Sequence, residues 1–446
     1  MPQISILGAG MAGFGAAHRL SAAGLQPHIF DRHSYHGGHA ASFKHPGGWI
    51  FDDGPHLSFT KNDRIRDLFA ESVGQRFEQI PVQANNYWRG HWIKHPAQCN
   101  LHGLPPELLV KVISDFVQAS TAPDSTIRTY ADWLYASFGR TFAETFPMQY
   151  GRKFHTTTAD NMSTDWLGPR LYRPTLEEVL RGALSPLTAD VHYITQCRYP
   201  THGGFVSYLD RFLPCAETHL GHEVVKIDVA ERTLSFANGA HVAYDALVSS
   251  LPLPVLIKLI PEAPTAVAEA ASRLAWTGVL LVNLGIDRAD LSKAHWSYFY
   301  DDDIVFSRLS YPHMQSPNTV PPGCGSFQAE IYFSQKYKPL ESAPESYIPR
   351  VIADLKRCGL LKDSDRILFS QASVAPFAQV IFDLERAAAL EIVRGYLDEV
   401  GIATCGRYGE WGYLWTDESF LSGERAAERT LARLGARDLS SSTAAA

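Results

Sequence analysis

Gly8-x-Gly10-x-x-Gly13 follows a short β-type run, Gln3 to Leu7, and precedes a helical pattern carried by Ala16, Ala17, Leu20 and Ala23. That order has the chemistry of a pyrophosphate cradle. Gly8 allows the tight turn, Gly10 lets backbone approach the phosphates, and Gly13 lets the helix pack on the strand. Phosphate oxygens would rest on free N–H groups at a helix N-terminus. A second β-type run ends in Asp31, about twenty residues on, where a carboxylate can accept hydrogen bonds from a ribose diol. Dinucleotide binding is the predicted chemistry. A glycine-rich turn in an ordinary α/β unit is the competing reading.

After Asp31 come Arg32 and His33, then Gly37-Gly38-His39-Ala40-Ala41-Ser42. A glycine pair followed by small residues suits a loop around a cofactor bulkier than a nicotinamide one. Phe51-Asp52-Asp53-Gly54-Pro55-His56 is an extended segment that turns at Gly-Pro. In these elements the chain resembles the FAD-binding proteins of the amine oxidase, protoporphyrinogen oxidase and UDP-galactopyranose mutase superfamily. The resemblance implies FAD as cofactor, with Gly8, Gly10, Gly13, Asp31, Arg32, Gly38, His39, Ala40, Ser42, Gly54, Pro55 and His56 around it.

These residues need a scaffold. At 446 residues the chain exceeds one simple core. The resemblance implies an α/β fold, a Rossmann-like FAD-binding domain of the glutathione reductase type, with an inserted helical cap and a β-rich substrate domain. Residues 1–90, 200–255 and 370–446 are expected to form the discontinuous FAD domain. Residues 91–199 are expected to form a mainly helical cap, since PPELLVKVISDFVQA and the segment around Tyr130 to Leu134 carry apolar residues at three- and four-residue spacing. Residues 256–369, rich in β-type runs and aromatics, are assigned to the substrate-binding part. Strand-like alternation recurs through residues 220 to 250; by resemblance the strand at Val224 and Val225 passes the adenine, and Ser249 completes the cofactor wall.

Four further motifs resemble UDP-galactopyranose mutase. His91 to Leu101 resembles its uracil-contacting segment, which implies a substrate role for Gln98. Tyr150-Gly151-Arg152-Lys153-Phe154 with Trp166-Leu167-Gly168-Pro169-Arg170, and then Phe306-Ser307-Arg308, resemble the segments carrying its two diphosphate arginines. Gly406-Arg407-Tyr408-Gly409-Glu410-Trp411-Gly412-Tyr413, followed by Ser419, Phe420 and Gly423, resembles the stretch that ends the FAD site and lends a tyrosine to the phosphates. Guanidinium forks match phosphate oxygens well, so Arg170 and Arg308 are expected to grip a diphosphate beside Tyr413, with His56 near the flavin. The chain also departs from the mutase pattern. Ala375 to Phe382 lacks its second phosphate tyrosine, Ala97 replaces an aromatic, Ile194 to Pro200 lacks its asparagine, and Thr416 to Phe420 is shortened.

The resemblance implies an isomerase acting on a nucleotide sugar through N5 of reduced FAD; NAD(P)H is one candidate reductant. The generic fingerprint equally supports a flavin oxidoreductase. A FAD-retaining assembly protein is a third reading. A net charge of −7 offers no basic footprint for nucleic acid and no polybasic membrane anchor. No run of eighteen apolar residues predicts a membrane span. The first strand starts at residue 3, so no leader is expected and the cytoplasm is the expected location. The six cysteines are scattered, and the eighteen histidines form no HExxH, so no structural metal is predicted. His33, His36 and His39 read as polar loop residues. The oligomeric state is not set by any feature of the chain.

Overall fold

The computed structural model describes residues 1–122, 126–168, 171–188, 191 and 194–444, with side chains described as far as residue 435. Its first sheet is wholly parallel, in the order Ile402–Thr404, Ala246–Ser249, Ile4–Leu7, His28–Phe30, Glu217–His219. Ile4–Leu7 lies near its centre and is buried at every residue, as a parallel strand covered on both faces must be. Helix Met11–Ala22 crosses back to the sheet and buries Phe14, Ala16, Ala17 and Leu20.

The long C-terminal helix, Thr416–Ala444, packs along Met11–Ala22 at unusually close range. A methyl group at Gly15 would meet the Phe420 carbonyl at 2.1 Å, and one at Gly423 would meet the Ala12 carbonyl at 2.0 Å. The helix that presents its N-terminus to the fingerprint turn is therefore clamped from behind, backbone against backbone.

A second, seven-stranded sheet runs Ile367–Val380, Trp276–Ile286, Gly325–Phe333, Arg308–Ser310, Trp296–Phe299, Ala84–Trp88, His91–Lys94. Its pairs are antiparallel except Trp296–Phe299 with Ala84–Trp88. Gly325–Phe333 is buried throughout, an interior strand with both faces covered. Residues 84–94 thus reach this sheet from the N-terminal region. The chain returns to the first sheet at Glu217–His219 and Ala246–Ser249, leaves it again for the second sheet, and rejoins it at Ile402 after the long strand Ile367–Val380.

Five helices, Pro106–Thr121, Tyr130–Phe138, Arg140–Thr145, Pro147–Phe154 and Leu176–Leu184, form a block over the cavity between the sheets. Reciprocal capping boxes start two of them, Thr129 with Asp132 and Thr175 with Glu178. Phe142, Phe146, Leu134 and Trp88 join this block to the core of the first sheet.

No helix among the described residues is long and apolar enough to cross a membrane.

Candidate functional site

One cavity of about 610 Å³ runs from the fingerprint turn to the helical block. Its phosphate end is built by the strand-to-helix turn. Gly8 sits at φ +102°, a conformation that L side chains avoid. Gly10 precedes the helix, and no acidic side chain stands in the first turn, so the N-terminal amides face the cavity uncompensated. The Asp31 carboxylate accepts from Ala9 N at 2.8 Å and from His33 N at 2.9 Å, tying both loops together at the cavity edge. Gly37 and Gly38, both at positive φ, bring a second loop against Gly10, where a methyl on Gly38 would lie 3.4 Å from the Gly10 Cα. A side chain at Gly38 would face the turn, whereas one at Gly37 would collide with Val206 and Ala41, 2.8 and 3.0 Å away.

Gly8, Gly10, Asp31, Arg32, Gly38, His39, Ala40, Gly54, Pro55, His56, Gly406, Arg407 and Ser419 all line this cavity. Gly13, Ser42, Val225, Ser249 and Phe420 sit behind or beside it. Gly13 touches the turn itself, since a methyl there would lie 1.9 Å from the Gly8 carbonyl. Ser42 donates to Asp52 at 2.5 Å, and Tyr199 donates to the same carboxylate at 2.9 Å. Burial nonetheless pushes Asp52 up to about 6. Val225 points to solvent, 49% exposed, and Val224 takes the cavity side. Ser249 accepts Cys405 N through its carbonyl, and Ser250 stands at the wall. Phe420 packs against Phe212 in the core, with ring centroids 4.8 Å apart.

His56 donates from Nδ1 to the Gly54 carbonyl at 2.8 Å, which leaves Nε2 as an acceptor. Burial lowers it to about 4, so it is neutral near pH 7. Arg407 donates to Leu414 O at 2.9 and 2.7 Å and to Ala378 O at 3.0 Å. It therefore fastens the 407–414 loop to the second sheet, and its carbon lies 5.4 Å from the Tyr413 ring.

The far end of the cavity is a chamber of aromatics, including Tyr150, Tyr298, Tyr332 and Tyr413, with Gln98 at its rim. Gln98 donates to the Tyr172 carbonyl at 3.0 Å. Arg308 enters from the second sheet and forms a two-pronged ion pair with Glu330, Nε to Oε1 at 2.5 Å and Nη2 to Oε2 at 2.6 Å. Tyr332 donates to the same carboxylate at 2.5 Å. Burial opposes the Arg308 charge, but Glu330 more than offsets it and holds the guanidinium protonated. Arg170 lies outside the described residues.

Sequence reasoning passed over Glu330 and His155. The signal for Glu330 was an acid inside the apolar run Phe327 to Phe333; a lone charge in an interior strand needs a partner. His155 follows the Tyr150 to Phe154 motif directly and lines the chamber.

The buried histidines predict an acid-sensitive fold. His56 is held near 4, His155 near 3 and His313 near 4, each lowered chiefly by burial. Their folded values lie below the unfolded one, so the unfolded chain binds protons first. Their contribution to stability is complete above about pH 6.5 and falls as pH drops toward 4, by about 1.4 kcal/mol per pH unit for each such group. Asp52, raised to about 6, acts oppositely between pH 6 and 3.8 and offsets one histidine there. Urea unfolding at pH 7.5, 6 and 5 should show a falling midpoint; a flat profile contradicts this.

Residues 6–72 match the NAD(P)-binding Rossmann-like domain. A 75-residue stretch is 41% identical to a 4,4'-diapophytoene desaturase (4,4'-diaponeurosporene-forming) of Staphylococcus haemolyticus. That match covers 17% of this chain and 14% of the desaturase. Over nearly its whole length the chain is similar to a solved structure of reduced UDP-galactopyranose mutase, with TM-score 0.90, 24% identity, and 97% and 96% of the two chains covered. A putrescine oxidase redesigned in its cofactor binding is similar with TM-score 0.64 and 13% identity, covering 97% and 99%. The chain thus shares its fold with these structures, a Rossmann-like domain joined to a large mixed sheet.

Proposed function

We propose that this protein is a FAD-dependent isomerase of a UDP-sugar, of the UDP-galactopyranose mutase kind. The observation that carries this reading is the continuity of the cavity from the Gly8–Gly13 turn to the chamber of Arg308, Gln98 and Tyr413. Such continuity would set a dinucleotide's far end beside a second ligand. The likeness in shape to reduced UDP-galactopyranose mutase over the whole chain supports it.

The cradle fits FAD: paired loops free of side chains, uncompensated helix amides for the pyrophosphate, and Asp31 for the ribose. Reduced flavin, when bound, supplies a nucleophilic nitrogen toward a sugar carbon and returns to its starting state. The chain's own task is then positioning and charge stabilisation. Arg308 and Tyr413, with Arg170 from the matched motif, would hold the diphosphate. Gln98 would offer amide donor and acceptor to uracil. His56, neutral and fixed by Gly54, would present a lone pair near the flavin.

UDP should therefore bind to the FAD-loaded protein, and Tyr413→Phe should weaken it several-fold, the loss of one hydrogen bond of about 1 kcal/mol. Calorimetry without heat in either flavin redox state would sink the nucleotide-sugar reading. One observation favours a flavin oxidoreductase instead: Glu330 already neutralises Arg308, which lowers the chamber's pull on an anion. Oxygen or NAD(P)H consumed in step with product would establish that second reading.

A further inference from the structure

His155 is placed in the chamber wall by local strain. It ends helix Pro147–Phe154, and the next residue, Thr156, sits at φ +62°. That conformation is costly for a β-branched side chain. It is held by hydrogen bonds linking the Thr156 hydroxyl to the His155 carbonyl at 2.6 Å and to Ser334 Oγ at 2.8 Å. The chain therefore turns sharply after His155. The imidazole is set between the Phe154 ring, edge-on at 4.9 Å, and the Trp166 ring at 5.0 Å. Trp166 in turn stacks toward Tyr413 at 6.3 Å.

The residue is 4% exposed, and its Nδ1 is enclosed without a hydrogen-bond partner. Burial lowers the imidazole to about 3, so one nitrogen carries a proton and the other a lone pair near neutral pH. A buried N–H without an acceptor is rarer and costlier than an unpaired acceptor. The proton therefore belongs on Nε2, with the bare lone pair on enclosed Nδ1. A neutral N–H suits an uncharged oxygen, whereas phosphate oxygens are better met by guanidinium.

We propose that His155 is a specificity-determining residue whose Nε2–H donates to a hydroxyl or ring oxygen of the sugar, not to the phosphates. This rests on the nucleotide-sugar reading above.

The test compares UDP with UDP-galactopyranose by calorimetry on the FAD-loaded full chain, for wild type, His155→Phe and His155→Gln. His155→Phe should weaken UDP-galactopyranose about five- to tenfold, the loss of one neutral hydrogen bond, and leave UDP unchanged. His155→Gln, which restores an N–H donor, should recover most of that loss. Nitrogen NMR of the wild type should show Nδ1 unprotonated and Nε2 protonated. An equal loss for both ligands in His155→Phe would make the role merely structural and overturn the proposal, as would no loss for either or a proton on Nδ1. A wild type that binds neither ligand overturns the nucleotide-sugar reading, and this role with it.

Discussion

Gly10→Val should purify as folded, colourless protein that fails to take up FAD. Gly10 sits at φ −98° and ψ −172°, an extended conformation that valine accepts readily. Its first carbon would lie at ordinary contact, 3.6 Å from the Gly37 carbonyl. The backbone thus tolerates the change, and the loss comes from methyl groups filling the cradle where the pyrophosphate must lie. We expect affinity for FAD to fall at least about a hundredfold, near 2.8 kcal/mol. Gly13→Ala should behave differently. Its methyl would collide with the Gly8 carbonyl at 1.9 Å, so helix and strand must part and soluble yield should collapse. Flavin absorbance of the purified proteins, followed by reconstitution with FAD, separates the two outcomes. Full flavin content in Gly10→Val would contradict the assignment of the cradle.

Arg308→Ala is expected to show the second large effect, on stability and on UDP binding together. The side chain of Glu330 is 2% exposed, so removing its partner strands a buried carboxylate. Breaking such a pair costs about 3–5 kcal/mol. Under the mutase reading, UDP affinity also falls by about ten- to a hundredfold, the loss of a charge-assisted hydrogen bond. Stability and affinity are separable. Replacing both partners, Arg308→Met with Glu330→Met, removes the stranded charge and should recover most of the stability while UDP binding stays weak. Urea unfolding and calorimetry on the same three proteins read both quantities. A double variant that binds UDP like wild type would remove Arg308 from the substrate site.

The first βαβ unit was legible because its parts are contiguous: strand, turn, helix and acid lie within Gln3 to Asp31, and each leaves a local signal. The strands that flank it, Ala246–Ser249, Ile402–Thr404 and Glu217–His219, arrive from more than 180 residues away, and pairing at that range leaves no local pattern. Strand parity was equally hidden. The alternation around Val224 and Val225 predicts a strand, but its register against Thr233–Phe236 shifts between Val224 and Lys226. Successive strand residues face opposite ways, so only one of the pair could meet the cavity: Val224 does, and Val225 meets solvent. At Ser249 and Ser250 the same parity decides which serine reaches the wall.

In the chamber, the family resemblance led to Arg308, Gln98 and Tyr413, all of which line it. It could not reveal that Arg308 arrives already bound to Glu330, because the pairing depends on neighbouring strands meeting at Arg308 and Glu330. Arg407 illustrates the converse. A guanidinium in a cofactor motif suggests an anion ligand, yet three of its donor groups are spent on the carbonyls of Leu414 and Ala378.

The central claim, a flavin site that rearranges a nucleotide sugar without net redox change, is tested most directly by anaerobic turnover. FAD-loaded protein reduced with dithionite is incubated with UDP-galactopyranose, and with other UDP-hexoses because the chain departs from the mutase pattern near Ala378 and Ile194. The account predicts a furanose isomer formed over many turnovers while the flavin stays reduced, and no product once the flavin is reoxidised. Product formed only with matching consumption of NAD(P)H or oxygen, or no isomer from any UDP-hexose, would contradict it.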